Sequence, residues 1–271
     1  MDSFALMIAY FSLGCFAGVI AGLLGVGGGL IIVPILALLY QMQQFAPEHI
    51  MQLAVGTSLA TIIFTSLSSS VAHHRRGAVN WPVMLQLSAG IVVGGWLGGV
   101  LAVWLGGLLL AGLFGVFELL VAGHMAFGRK PAAHRGPPGA LRNSAAGASI
   151  GAVSALLGIG GGTLTVPWLV WHNVGMRQAV ATSSACGLPI ALVGALGFVL
   201  AGLGRDGLPA GSTGYVYWPA VAMVSVASVL SAPLGARLAH RLDPRRLRKI
   251  FAGVLACLGV VMLSRSLLGH G

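Results

Sequence analysis

Two short stretches hold the residues best suited to chemistry. Residues 25–34 read GVGGGLIIVP, and residues 158–167 read GIGGGTLTVP. Gly27, Gly28 and Gly29 in one copy, and Gly160, Gly161 and Gly162 in the other, permit turns and close approaches that side chains would block. Pro34 and Pro167 then limit or kink the apolar run that follows. A helix starting at such a break has unpaired amides in its first turn, and that end carries partial positive charge suited to an anion. The competing reading is that the glycines only let helices cross closely. Their duplication in corresponding positions favours a transport site between two halves. The copies differ at Thr163 and Thr165, which replace Leu30 and Ile32 and add hydroxyls to one side.

A second duplicated set is Thr57-Ser58 in AVGTS and Thr182-Ser183 in AVATS. These hydroxyls can donate to the oxygens of a small anion, or can bond to their own preceding helical turn. Ser184, Asn173 and Gln52 are weaker candidates. Glu118 is the one acid well inside an apolar span, so it must be protonated, paired or exposed to a polar path. Proton coupling is one role for it; a structural hydrogen bond, with His124 as partner, is the other. His73 and His74 beside Arg75 and Arg76 read as an interface cluster, or as an anion attractor at a mouth. Cys15, Cys186 and Cys257 are isolated and read as small packing residues. No metal set, cofactor motif, Walker sequence or nucleophile–base arrangement stands out, so the chain reads as no enzyme and as needing no cofactor.

The elements that must position these residues follow from composition. Of 271 residues, 57% are hydrophobic and 7% charged, with a mean hydropathy of +0.93. A soluble domain carries about 25% charged residues, so this is an integral membrane protein surrounded by lipid. Apolar spans of about 20 residues fall at 5–24, 50–71, 81–100, 108–127, 179–202, 215–234 and 250–267. Residues 28–40 and 161–170 are apolar but short, and 143–157 lead into the second glycine motif. Trp81, Trp218 and Tyr215 read as interfacial anchors. The first 25 residues lack a basic leader and cleavage pattern, which suggests a retained helix.

The basic, Pro/Gly-rich segment 128–142 divides a first repeat, 1–127, from a second, 143–271. The glycine motifs, the A-V-x-T-S landmarks, Trp81-Pro82 with Trp218-Pro219, and Ala111-Gly112 with Ala252-Gly253 recur in the same order. Loop charge reverses between the halves: the Arg75-Arg76 loop is basic and 101–107 bare, whereas 203–214 is nearly bare and 237–249 rich in arginine. By the positive-inside rule, equivalent loops lie on opposite faces. The expected fold is therefore all-α, with two inverted-topology repeats and short broken or re-entrant helices after the glycine motifs. The linker is expected in the cytoplasm and the termini in the periplasm. Apart from Arg205 and Arg265, all 15 Lys and Arg then lie in cytoplasmic segments, so the net charge of +10 reflects topology rather than nucleic-acid binding.

The paired GxGGGxxxxP elements, the A-x-x-T-S landmarks and the inverted halves resemble the TauE/SafE family, also called the TSUP or sulfite exporter family. The resemblance runs from about residue 11 to residue 261. It implies a permease or exporter of the bacterial inner membrane, acting on sulfite, organosulfonates or related organic anions, with coupling to protons or another ion. An anion channel or a non-transporting scaffold are the alternatives. Direction of transport, coupling ion and oligomeric state stay open at this level.

Overall fold

A computed structural model describes residues 3–24, 28–128, 138–238 and 244–268. Gly27 and most of the 128–142 linker lie outside the described residues. The chain forms ten α-helices among those described: α1 (Ser3–Leu24), α2 (Gly29–Met42), α3 (Ile50–Arg75), α4 (Trp81–Trp104), α5 (Gly107–Phe127), α6 (Ala140–Leu157), α7 (Gly162–Trp171), α8 (Met176–Gly202), α9 (Trp218–Leu238) and α10 (Pro244–Leu268). A single 3-10 turn, Pro47–His49, precedes α3. Seven helices are long and apolar enough to cross a membrane, among the described residues. This is a multi-pass, all-α membrane protein.

The short elements behave differently. α2 has 14 residues and α7 has 10, giving about 21 and 15 Å of helix at 1.5 Å per residue. Neither reaches across the roughly 30 Å of a hydrocarbon core. Each folds back along the helix before it. Gly28 lies beside Ala17 in the second half of α1, while the Gln43 amide beyond α2 donates to the Tyr10 hydroxyl in the first half of α1. Likewise the Trp168 indole near the end of α7 donates to Asn143 at the start of α6, at 3.2 Å. Asn143 in turn donates to Gln86 of α4 at 2.7 Å.

Packing across the molecule is reciprocal. α1 lies on α9 and α6 on α4; α3 lies on α8 and α5 on α10; α2 and α7 lie on α3 and α8. Glycine sets several of these crossings. Gly90, Gly94 and Gly98 of α4 meet Ser144, Ala148 and Ala152 of α6 in the same order, so the two helices run parallel. Gly14 and Gly18 of α1 meet Val224 and Ser228 of α9, also parallel. α3 opposes α8, with Gly194 against Leu59 and Gly187 against Ser66. α5 opposes α10, with Gly115 on the Gly259 carbonyl and Gly259 on the Gly115 carbonyl. Small residues let backbones approach where no water-driven force brings helices together.

One element was not expected. Inside the 203–214 loop and the residues after it, Ser212–Thr213 and Val216–Tyr217 pair as a short antiparallel hairpin, β1 and β2. Positive φ at Gly204, Gly207, Gly211 and Gly214 makes this fold possible, and a loop of that composition gives no alternation to signal it.

A side chain at the α4–α6 crossing should be intolerable. A Cβ on Gly94 would overlap the Ala148 carbonyl, whereas one on Gly123 meets nothing within 4 Å. Gly94→Val is therefore expected to lose the monodisperse, folded protein in detergent size exclusion, while Gly123→Val keeps it. Equal yields from both variants would refute the close crossing.

Candidate functional site: a cradle between two half-helices

The two glycine motifs meet. A Cβ on Gly29 would sit 2.5 Å from the Gly158 carbonyl oxygen and 2.8 Å from the Ile159 Cα. The start of α2 thus rests on the backbone that leads into α7, and neither side has space for a side chain. Gly158 ends α6 in a left-handed conformation, φ +69°, which glycine adopts without steric cost. On the other side, a Cβ on Gly161 would lie 2.8 Å from the Ser183 carbonyl of α8. Gly28 is less constrained, its nearest neighbour being the flexible end of Ile32 at 3.0 Å. Gly160, Gly161 and Gly162 are all buried. The start of α2 therefore meets the segment between α6 and α7, with α2 packed on α3 and α7 on α8.

The hydroxyls divide into two roles. Ser58 donates to the Gly158 carbonyl at 2.8 Å, tying α3 to the second glycine motif. Ser183 bonds the Val180 carbonyl of its own turn at 3.0 Å, as Ser184 does. Thr57 and Thr182 do something else. Thr57 Oγ1 accepts the backbone N–H of Tyr217 at 3.1 Å, and Thr182 Oγ1 accepts that of Asn80 at 3.0 Å. Tyr217 and Asn80 each immediately precede a Trp-Pro pair. Each threonine thus caps the start of a helix in the opposite half, α9 or α4. Thr57 also accepts from the Tyr40 hydroxyl at 3.1 Å. Sequence reasoning found these threonines but not this use of them, because the partner lies more than a hundred residues away.

Thr165 is the candidate whose hydroxyl is left over. Its side chain is fully buried, and Oγ1 has no hydrogen-bond partner. Ser154 of α6, which the sequence did not single out, is in the same condition. Thr163, by contrast, is only partly buried and already has a partner. Glu118 stands apart on α5: it is fully buried, and neither oxygen has a partner, so the expected bond to His124 is not made.

The two ends of the α3–α8 pair differ. At one end, His49 bonds the Asp206 carbonyl oxygen at 3.2 Å, and Tyr217 packs on the rings of Tyr10, Tyr40 and Phe45. Burial raises the Tyr215 phenol above its ordinary pKa, with Arg205 partly offsetting it, so the hairpin presents a neutral group. At the other end, a cavity of about 390 Å³ opens between the α3–α4 turn and the start of α8, lined by Arg76, Gly77, Gly175 and Arg177 among others. Trp81 and Trp218 both stand half-exposed at helix starts, as interfacial residues do, bonded to His74 and Thr213.

The family model for sulfite exporter TauE/SafE matches residues 10–262. The chain belongs to the TauE/SafE sulfite exporter family. It is 31% identical over 260 residues to a probable membrane transporter protein of Haemophilus influenzae, covering 96% of this chain and 98% of that one. A probable membrane transporter protein of Methanocaldococcus jannaschii is 27% identical, with 92% of each chain covered. One of Bacillus subtilis is 26% identical, with 96% of this chain and 97% of its own covered. No solved structure matches. This TauE/SafE protein is thus a membrane transporter and not an enzyme.

Loss of either threonine cap leaves a backbone N–H without its acceptor. Thr57→Val and Thr182→Val should each lower the unfolding midpoint in detergent by about 2–6 °C, whereas the corresponding Ser variants should lose little. An unchanged midpoint in both Val variants would remove the capping role.

Proposed function

We propose that this protein is a secondary transporter of small anions, sulfite or organosulfonates, working by alternating access. The observation that carries the reading is the contact of Gly29, at the start of α2, with the backbone of Gly158 and Ile159 that leads into α7. Two amide ends open there away from lipid, where irregular backbone is tolerated because it lines a cavity or contacts protein. Gly28, Gly29, Gly160, Gly161 and Gly162 form the backbone cradle, with Ser58, Ser183 and the hydroxyls of Thr163 and Thr165 near it. Thr57 and Thr182 serve as caps that hold the cradle's walls.

The halves act as inverted repeats on this reading. α1–α5 correspond to α6–α10, and α3 and α5 run opposite to α8 and α10, their counterparts. The reciprocal threonine caps support the same correspondence. With the arginine-rich loops in the cytoplasm, the linker is cytoplasmic and the termini periplasmic, in a bacterial inner membrane. The cavity beside Arg76 and Arg177 is then the cytoplasmic mouth, where two guanidinium groups attract an anion. The hairpin covers the periplasmic end.

The test is uptake of radiolabelled sulfite and organosulfonates into proteoliposomes, with and without an imposed pH gradient. Saturable, gradient-dependent flux is expected; high unitary conductance without saturation would make the protein a channel. Gly29→Ala and Gly161→Ala should lower flux about tenfold or more while the protein still inserts, because even one methyl group enters the space of a backbone carbonyl. Gly28→Ala should be close to normal. Normal flux in the first two variants would sink the cradle.

A further inference from the structure

Two ionisable side chains are buried on α5 and α10, which pack on each other, and neither has a hydrogen-bond partner. Glu118 is fully buried, and both of its carboxyl oxygens are unbonded. Arg265 is 9% exposed, and both terminal guanidinium nitrogens are buried and unbonded. An unpaired charge among membrane helices is costly. An acid and a base buried on two helices that pack together call for a common explanation.

The geometry supplies one. The helices are antiparallel: Gly112 is level with Ser266, Gly115 with Leu263, and Gly259 meets the Cβ of Glu118. Arg265 therefore stands about six residues, or 9 Å, along the axis from the level of Glu118. Side chains lean toward the N-terminus of their own helix. In an antiparallel pair, that leans Glu118 toward Arg265 and Arg265 toward Glu118. Both lie on buried stripes, Phe114, Glu118 and Ala122 on α5, and Leu255, Met262 and Arg265 on α10. At the crossing itself Gly115 and Gly259 approach backbone to backbone, with the side chains of Glu118 and Leu119 seated over Gly259.

Other charged or titratable groups occur on the elements packed here. Among the described side chains they are Tyr40 on α2, Glu48 and His49 before α3, His73, His74 and Arg75 at its end, and Arg142 on α6. His124 lies on α5, and Lys249 and Cys257 on α10. None bonds the Glu118 oxygens or the terminal nitrogens of Arg265.

We propose that Glu118 and Arg265 form a single proton-gated oxyanion site. With Glu118 charged, the guanidinium pairs with its carboxylate. With Glu118 protonated, the guanidinium is released to a small oxyanion such as a sulfonate or carboxylate, whose paired oxygens match its planar fork. Protonation removes the competing carboxylate, so anion affinity rises as pH falls, and proton and anion load together. The part this plays in flux rests on the transport reading above; the binding itself does not.

Thermal unfolding of the full chain in lipid nanodiscs tests it, with and without methanesulfonate, from about pH 5 to about pH 9. This probe stays anionic throughout, so any pH dependence belongs to the protein. The anion should stabilise the wild type mainly at acid pH, E118Q at every pH, and R265Q at none. R265K, which keeps the charge but not the fork, should need about tenfold more anion for the same shift, and it decides the matter if R265Q does not fold. Without anion at alkaline pH, E118Q and R265Q should each lower the midpoint by about 5 °C, and E118Q/R265Q should recover most of that loss. A wild-type anion response in R265Q or R265K, or additive losses in the double variant, would overturn the proposal. Thermal responses as expected, with no anion flux by the wild type, would instead remove the transport reading and leave the pair standing. Flux without the thermal responses would remove the pair alone.

Discussion

The structure depends on a contact between two chain breaks. Gly29 rests on the Gly158 carbonyl and the Ile159 backbone, and no residue with a Cβ fits on the Gly29 side. That contact requires α1–α2 and α6–α7 to approach tip to tip, and the short helices must stop where they do. Buried backbone of this kind needs partners in a membrane. Ser58 supplies one by donating to the Gly158 carbonyl, and α3 and α8 supply the walls.

Around that contact, the helices are held by two devices suited to a bilayer. Glycines on α1, α4, α5 and α10 bring backbones within van der Waals reach, where dispersion replaces the missing hydrophobic force. The threonine caps add polar specificity. Thr57 and Thr182 receive the N–H groups that open α9 and α4, groups a helix start leaves unpaired. Because each cap comes from the opposite half, neither half can complete its fourth helix start alone. The same arrangement links the walls of the cradle to the hairpin at one end and to the Arg76 turn at the other.

Much of this was legible in the chain. The spans followed from apolar length, and the glycine breaks from their repetition. The Trp-Pro pairs marked the starts of α4 and α9, because proline suits a first turn and tryptophan an interface. Less was legible at the site. Gly28 and Gly29 look alike in sequence, yet only Gly29 is pressed against carbonyl oxygen. Thr57 and Thr182 read equally as donors to an anion or as bonded to their own preceding turn; that each accepts a backbone N–H from far along the chain has no local signal. In the sequence Arg265 stands out only as a cation outside the cytoplasmic segments; its burial depends on what packs beside it.

By itself, the sequence determined the class of protein, the order of its spans and the places where the helices must break. These are local properties: hydrophobic length, missing side chains and proline each act on their own few residues. Tertiary structure alone decided which glycines meet carbonyl oxygen, which hydroxyls are spent on holding the halves together, and that Glu118 and Arg265 are buried without partners. Such outcomes depend on distances between residues far apart in the chain, and those distances are set only when the helices have packed.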